Sequence, residues 1–250
     1  MEGGGGETRQ WSRFLFAKLT RDWRALDPAR RSAAAVEFEA LVRDFQRELA
    51  VRTYTTVGTR GDADFCLWMA GPNLDVFRRL ITALYSTALG PYLETPYSLL
   101  AMTRRSQYVE QHRHPGQEGA RAEVQPSGAA YVFVYPFAKS KAWYKLGKQA
   151  RQGMMNEHIQ IGHKYPSVKI NTTYAYGIDD QEFVLAFETD EPSDFLDLVM
   201  ELRGSEASQY TTLDTPSFTC QRASPREVIE ALGGLGARQT EPPKAGAPAP

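Results

Sequence analysis

The residue of this chain best suited to binding a metal is His158. It lies in the segment RQGMMNEHIQI, residues 151–161, whose helical spacing places it on one apolar stripe with Met154, Met155 and Ile161. A histidine on a helix is a frequent axial ligand of haem iron. A histidine on an apolar stripe is also often a core residue that is bonded to a backbone carbonyl, so the spacing alone leaves both interpretations open.

The other histidines are His112, His114 and His163, and they form no zinc site with His158. No cysteine or carboxylate completes such a site at the spacing that zinc ligands require. His112 and His114 lie in a polar stretch punctuated by Gly and Pro, which is typical of a solvated loop. Spacing therefore gives these three residues no zinc-binding role.

A second cluster that could do chemistry is Tyr135-Pro136 followed by Lys139. The strand-like run YVFVYPF ends there and the basic run AKSK follows, so a phenol and an ammonium come together at the end of a strand. The alternative interpretation is an ordinary aromatic strand end followed by a solvated basic turn.

Composition excludes several classes of protein. The net charge is −1, so no basic surface indicates nucleic-acid binding, and an anionic ligand must be held by a local cluster of cations. No stretch approaches the ~20 apolar residues of a membrane helix, and the Gly-rich N-terminus does not resemble a secretory signal. We expect a cytoplasmic protein, in which Cys66 and Cys220 are small buried apolar residues.

The two halves of the sequence repeat with an offset close to 120 residues. Three segments keep this offset, and each contains residues of the same type in the same order. The repeated residues are Trp23, Leu26, Arg31, Gly58 and Thr95-Pro96 in the first half, and Trp143, Leu146, Arg151, Gly177 and Thr215-Pro216 in the second. The position of His158 corresponds to Phe38, so one half has an imidazole where the other has an apolar ring.

Each half predicts the order strand, helix, strand, strand, helix, strand, which is the ferredoxin-like unit. The predicted fold is therefore α+β, a dimeric α+β barrel made of two ferredoxin-like repeats in one chain. Such a barrel has a roomy apolar space between sheet and helices that suits a large flat ligand. We predict an N-terminal repeat over 10–109, a linker loop over 110–128, a C-terminal repeat over 129–236 and a disordered tail over 237–250.

Three segments of the sequence, taken together, resemble the chlorite dismutase superfamily. They are YPFAKSKAWYKL, then MMNEHIQIGHKYPSVKINTTYAYGIDDQEFVLAFE, then DLVMELRGSEASQYTTLDTP. The resemblance covers roughly residues 10–235 and implies that His158 is the axial ligand of a haem iron.

Within this superfamily the chain is similar to the coproheme decarboxylases, which use hydrogen peroxide to convert two propionates of iron coproporphyrin III to vinyl groups, giving haem b. The resemblance implies that Tyr135 lies beside a reactive propionate and carries an oxidising radical. It further implies that Lys139 and Arg121 bind propionates and that Trp143 lies near the haem.

One position separates the chain from the true chlorite dismutases. Those enzymes carry a distal arginine on the strand after the helix of the axial histidine, and the matching residue here is Ile170. An isoleucine cannot hold an oxyanion, which argues against chlorite chemistry. One group of the decarboxylases has a small apolar residue at this position and a distal histidine from a loop, a role that the resemblance assigns to His112 or His114.

Two other functions remain as alternatives. One is a haem-binding protein with weak peroxidase activity or a sensing role, in which Tyr135 is idle. The other is a barrel without haem that acts as a scaffold. The resemblance also implies a homopentamer, coproheme and hydrogen peroxide as substrates, and ferrochelatase as a partner. Composition predicts no nucleic-acid partner and no membrane span.

Overall fold

The computed structural model describes residues 9–108 and 123–233 and contains nine strands and seven α-helices within these ranges. The strands are β1 (Trp11–Leu19), β2 (Ala50–Thr55), β3 (Phe65–Gly71), β4 (Leu93–Met102), β5 (Tyr131–Lys139), β6 (Lys169–Tyr174), β7 (Phe183–Thr189), β8 (Thr211–Leu213) and β9 (Phe218–Arg222). The helices are α1 (Arg21–Ala25), α2 (Pro28–Phe45), α3 (Leu74–Tyr85), α4 (Lys141–Lys145), α5 (Lys148–His163), α6 (Pro192–Arg203) and α7 (Pro225–Ala231).

Eight of the strands form a closed antiparallel ring. Their order is β7-β6-β4-β1-β3-β2-β9-β5, and β5 pairs in turn with β7, while the short β8 lies beside the end of β5. Helices and an antiparallel sheet in one chain confirm the predicted α+β class. Within the described ranges no helix is long and apolar enough to cross a membrane.

Each half of the chain contributes four strands in the same spatial order. The first half gives β4-β1-β3-β2 and the second gives β9-β5-β7-β6. The registers also correspond, because Leu15 pairs with Leu67 on β3 and Tyr135, 120 positions later, pairs with Leu185 on β7. This shared order supports the proposal of two ferredoxin-like repeats.

Two turns repeat in the same way. Gly58, between β2 and β3, and Gly177, between β6 and β7, have φ angles of 87° and 68°. These are left-handed conformations that favour glycine over any residue with a Cβ. The repeated glycines of the sequence are therefore repeated turns.

The interior of the ring is filled with side chains. Phe14 stacks on Trp68, and Phe16 stacks on Phe218 with ring centroids 3.7 Å apart. Cys66 and Cys220 are fully buried free thiols in the same cluster, which confirms the prediction that they are buried small residues. A large ligand therefore has no room inside the ring itself.

Outside the ring, the two halves differ in how well their helices fill the space above the sheet. On the side of the first half, 21 described residues form one buried apolar cluster between sheet and helices, among them Phe38, Trp23 and two residues of α7. In the second half the corresponding cluster contains five buried described residues. The roomy space that the sequence predicts is present in the second half, whereas side chains fill the equivalent space in the first half.

Helix α7 is not among the predicted elements, although the sequence carries its signal. Ser224 caps the helix by accepting from the backbone N–H of Glu227, and the Glu227 carboxylate accepts from the backbone N–H of Ser224. This reciprocal pair is a capping box. The helix covers the first-half cluster with Val228 and Ile229.

We predict that Phe38→Ala lowers the free energy of unfolding by about 3–5 kcal/mol, because it leaves a cavity in a closely packed layer. Phe38 has no exposed surface and lies against the ring of Phe65. Val36→Ala on the same helix is the matched control, since Val36 is 54% exposed and its change should stay within about 0.5 kcal/mol. Urea unfolding measures both, and equal losses in the two variants would contradict the packing described here.

Candidate functional site

The space between sheet and helices in the second half is a cavity of about 1360 Å³. Its floor is the outer face of β5, β6 and β7, and its walls come from α5 and α6. Aromatic and aliphatic side chains from these strands and from α6 line much of the cavity: Tyr135, Phe137, Ile170, Tyr174, Phe183, Leu185, Phe187, Phe195, Val199 and Leu202. A large apolar ligand would complete this layer in the way that side chains complete it in the first half.

Strand β5 contributes side chains both to the interior of the ring and to the cavity outside it. Successive residues of a strand point to opposite faces, so Val132 and Val134 lie in the interior of the ring, whereas Tyr135 and Lys139 line the cavity. Four residues of strand separate these two positions by about 13 Å. The phenol and the ammonium therefore reach the cavity at two separate points.

His158 lies on the side of α5 that faces the cavity and is partly buried there. Burial lowers the pKa of its imidazole to about 4, and the ammonium of Lys139 acts in the same direction. At neutral pH the ring is consequently uncharged, which leaves one nitrogen with a free lone pair. A neutral imidazole is the form that binds iron.

Lys139 is held in place from several sides. Its backbone N–H donates to Glu182 Oε2 at 2.7 Å, and its Nζ donates to the carbonyl oxygen of Ala207 at 2.6 Å and to Thr211 Oγ1 at 3.3 Å. The ammonium also lies 5.1 Å from the ring of Trp143. Burial lowers the pKa of Lys139 to about 8, against the opposing influence of Glu182. The group is thus a cation in an apolar wall.

Tyr135 packs its ring nearly parallel to that of Phe187, with centroids 5.6 Å apart and an angle of 20° between the planes. Burial raises the pKa of its phenol, and the charge of Asp214 raises it further while Arg203 opposes this. Arg203 and Asp214 form an ion pair of 2.7 Å. Tyr135 is therefore a protonated phenol at any pH near neutrality.

The structure brings together five of the predicted site residues and leaves three undescribed. Tyr135, Lys139, Trp143, His158 and Ile170 all line the same cavity. The remaining predicted positions, Arg121, His112 and His114, lie outside the described residues.

The two halves of the chain have different residue types at equivalent positions around the cavity. Three cavity residues correspond, 120 positions earlier, to fully packed apolar side chains of the first-half cluster. The pairs are Tyr135 with Leu15, Lys139 with Leu19, and His158 with Phe38. By contrast Trp143 keeps its type, and both it and Trp23 are buried, so packing alone accounts for a tryptophan at this position.

Some residues that line the cavity are not predicted from the sequence as site residues. Tyr144 donates to Glu182 Oε2 at 2.5 Å and lies 2.7 Å from the hydroxyl of Tyr176, which forms a polar cluster at the cavity wall. Arg151 also lines the cavity. It belongs to the repeated set, so its type alone does not distinguish a site residue from a structural one.

Within the described ranges no cluster of three or more His, Cys, Asp or Glu could hold a bare metal ion. A porphyrin supplies four nitrogens of its own, so its iron needs a single protein ligand from one side. One neutral imidazole above an aromatic floor, with cations in the wall, fits such a group. His158 would hold its iron.

The cavity and its lining fit a haem group, and the sequence matches a family of haem proteins. Residues 31–223 match the family model described as chlorite dismutase. The chain therefore belongs to the chlorite dismutase family, whose members bind haem.

The chain is also similar to individual proteins. The coproheme decarboxylase of Mycolicibacterium smegmatis is 32% identical over 180 residues, which are 72% of this chain and 75% of the relative. Among solved structures, a haem-binding protein from Thermus thermophilus is 25% identical with a TM-score of 0.80, over 90% of this chain and 95% of that one. A mutant chlorite dismutase from Candidatus Nitrospira defluvii shares the fold, with 23% identity and a TM-score of 0.80 over 88% of this chain and 94% of that one.

We predict that the His158 imidazole of the ligand-free protein titrates near pH 4. Lys139→Met should raise this pKa, because a nearby ammonium disfavours a second positive charge, yet leave it below 6.5, because burial is the larger cause. Lys145→Met changes an exposed lysine on α4 and should leave the pKa unchanged.

NMR of the ring protons measures these pKa values, and the resonance that disappears in His158→Gln assigns the signal. A wild-type pKa at or above 6.5, the ordinary value for histidine, would contradict the environment described for His158.

Proposed function

We propose that this protein binds iron coproporphyrin III through His158 and decarboxylates it oxidatively with hydrogen peroxide, giving haem b. The observation that carries the proposal is the presence of Tyr135, Lys139 and His158 around one cavity, at positions where the first half has packed apolar residues. A relative with 32% identity that is a coproheme decarboxylase supports the same substrate.

The reaction balances with peroxide as the only oxidant. Each propionate that becomes a vinyl group loses carbon dioxide and two electrons, and one hydrogen peroxide accepts the two electrons to give two molecules of water. When bound, the iron porphyrin supplies the oxidising power that peroxide alone lacks. The protein has to orient the propionate and provide a group that accepts its hydrogen.

In this proposal Tyr135 is the residue that accepts a hydrogen atom from the reactive propionate. Its phenol keeps its proton, since burial raises its pKa. Loss of this proton and of one electron, to the oxidant that peroxide and the bound iron porphyrin would supply, would turn the Tyr135 oxygen into a radical. That radical could take a hydrogen atom from the propionate chain, which would then lose carbon dioxide and its second electron to the same oxidant. The nearly parallel ring of Phe187 fixes the orientation of Tyr135.

Lys139 binds a second carboxylate of the ligand in this proposal. Its ammonium is already ordered by Ala207 and Thr211, so little side-chain entropy is lost when a carboxylate binds. The approach of an anion raises the pKa of Lys139 from about 8 and keeps the ammonium charged.

Ile170 supports the decarboxylase over a chlorite dismutase. It lines the cavity from β6, and its side chain has no hydrogen-bond donor, so it cannot stabilise an oxyanion beside the iron. A distal histidine from 112 or 114, a propionate-binding Arg121, the homopentamer and the ferrochelatase partner remain predictions from the family resemblance.

We predict that Tyr135→Phe binds iron coproporphyrin III nearly as well as the wild type but does not decarboxylate it. The loss of one hydrogen bond weakens binding by about 0.5–1.5 kcal/mol, whereas phenylalanine has no phenol to oxidise. Tyr131→Phe is the matched control, because Tyr131 lies on the same strand, four residues earlier, and does not line the cavity. Lys139→Ala should weaken both binding and turnover.

Decarboxylation is measured as the product mass after peroxide addition, and affinity is measured in a separate binding titration. Full conversion by Tyr135→Phe would contradict the proposal and favour the haem-binding protein in which this tyrosine is idle. Failure of the wild type to develop a Soret band with either haem or coproheme would favour the scaffold without haem.

A further inference from the structure

The guanidinium of Arg151 is a charged group in the cavity wall that pairs with no anion in the described part of the chain. Its Nε is buried there and donates to no acceptor. A buried N–H without an acceptor costs free energy that a bound anion would recover. The other cations considered above are engaged, Lys139 by Ala207 and Thr211, and Arg203 by Asp214.

The first half shows what this arginine does where the layer is closed. Arg31 occupies the equivalent position, and its Nε is also buried without an acceptor among the described residues. Its Nη1, however, donates to the carbonyl oxygen of Arg24 at the end of α1, at 3.4 Å. The residue equivalent to Arg24 is Tyr144, and Arg151 makes no such bond to it. The second half keeps the arginine and lacks its structural bond.

The start of α5 also lacks the acidic cap that begins α2. In the first half Asp27 caps α2, accepts from the backbone N–H of Arg30 at 3.0 Å and pairs with the Arg30 guanidinium. At the equivalent position α5 begins after Gly147, which has no side chain to cap the helix and has open space around it. The start of α5 therefore carries no carboxylate that could pair with Arg151, although in the first half Asp27 itself pairs with Arg30 and not with Arg31.

Arg151 is placed where it could contact the edge of a flat ligand whose centre lies beside His158. The two residues are seven apart on α5, which is two turns and about 10.5 Å along one side of the helix. A large flat ligand centred beside His158 would therefore bring its periphery, where a porphyrin carries its carboxylates, towards Arg151. Both side chains line the same cavity.

We propose that Arg151 binds a carboxylate of the porphyrin and so selects ligands that carry carboxylates at their edge. The inference rests on the proposed function for its ligand. A guanidinium holds a carboxylate through two parallel hydrogen bonds, which an ammonium cannot reproduce. Arg151 is thereby a binding residue, additional to Lys139, and takes no part in the redox step.

The test is a fluorescence titration of the full-length, ligand-free protein with metal-free coproporphyrin III. The absence of iron removes axial ligation and turnover from the measurement. Arg151→Gln should weaken binding about tenfold or more, as expected for loss of a hydrogen bond to a charged group, and Arg151→Lys should recover part of the affinity. Arg31→Gln is the matched control and should bind like the wild type.

Two outcomes would overturn the inference: wild-type affinity in Arg151→Gln, or equal losses in Arg151→Gln and Arg31→Gln accompanied by equal falls in unfolding temperature. Arg151→Lys keeps the test valid if the glutamine variant does not fold, since wild-type affinity in the lysine variant would exclude a bidentate contact. If the wild type binds the porphyrin and Arg151→Gln does not, the inference stands even when no decarboxylated product forms, which would contradict the proposed function alone.

Discussion

The pairing of β5 with β7 is the constraint on which the site depends. It closes the ring of strands and fixes the register in which Tyr135 lies opposite Leu185. Because side chains alternate along a strand, this register places Tyr135 and Lys139 on the outer face and valines inside. A shift by one residue would turn the phenol and the ammonium into the filled interior, where neither could be accommodated.

The second constraint is the incomplete layer between β5–β7 and α5–α6. The first half buries leucine, phenylalanine and tryptophan in the equivalent layer and is closed. The second half leaves about 1360 Å³ open, with His158 held neutral at its wall. A flat apolar ligand would supply the missing packing, and by mass action it would stabilise the folded protein as it binds. Binding of such a ligand would therefore be coupled to folding at this surface.

Much of this could be predicted from the sequence because duplication makes each half a reference for the other. The exchange of Phe38 for His158 singles out His158 as the candidate ligand, and the repeated glycines identify the turns. The same comparison at Leu15 and Leu19 marks Tyr135 and Lys139 as candidate site residues without any family resemblance. The missing bond of Arg151 could not be predicted, since its residue type is unchanged and only the three-dimensional contacts of the two arginines differ.

The central claim is that His158 is the protein's ligand to a porphyrin iron, and ligation spectroscopy tests it most directly. The full chain is titrated with iron coproporphyrin III, and the absorption spectra of the wild type, His158→Ala and His163→Ala are compared. His163 is the matched control, because it also lies on α5 and lines the cavity. We predict a histidine-ligated spectrum for the wild type and for His163→Ala, and its loss in His158→Ala without a fall in the unfolding temperature of the ligand-free protein. A histidine-ligated spectrum that persists in His158→Ala and disappears in His163→Ala would contradict the account.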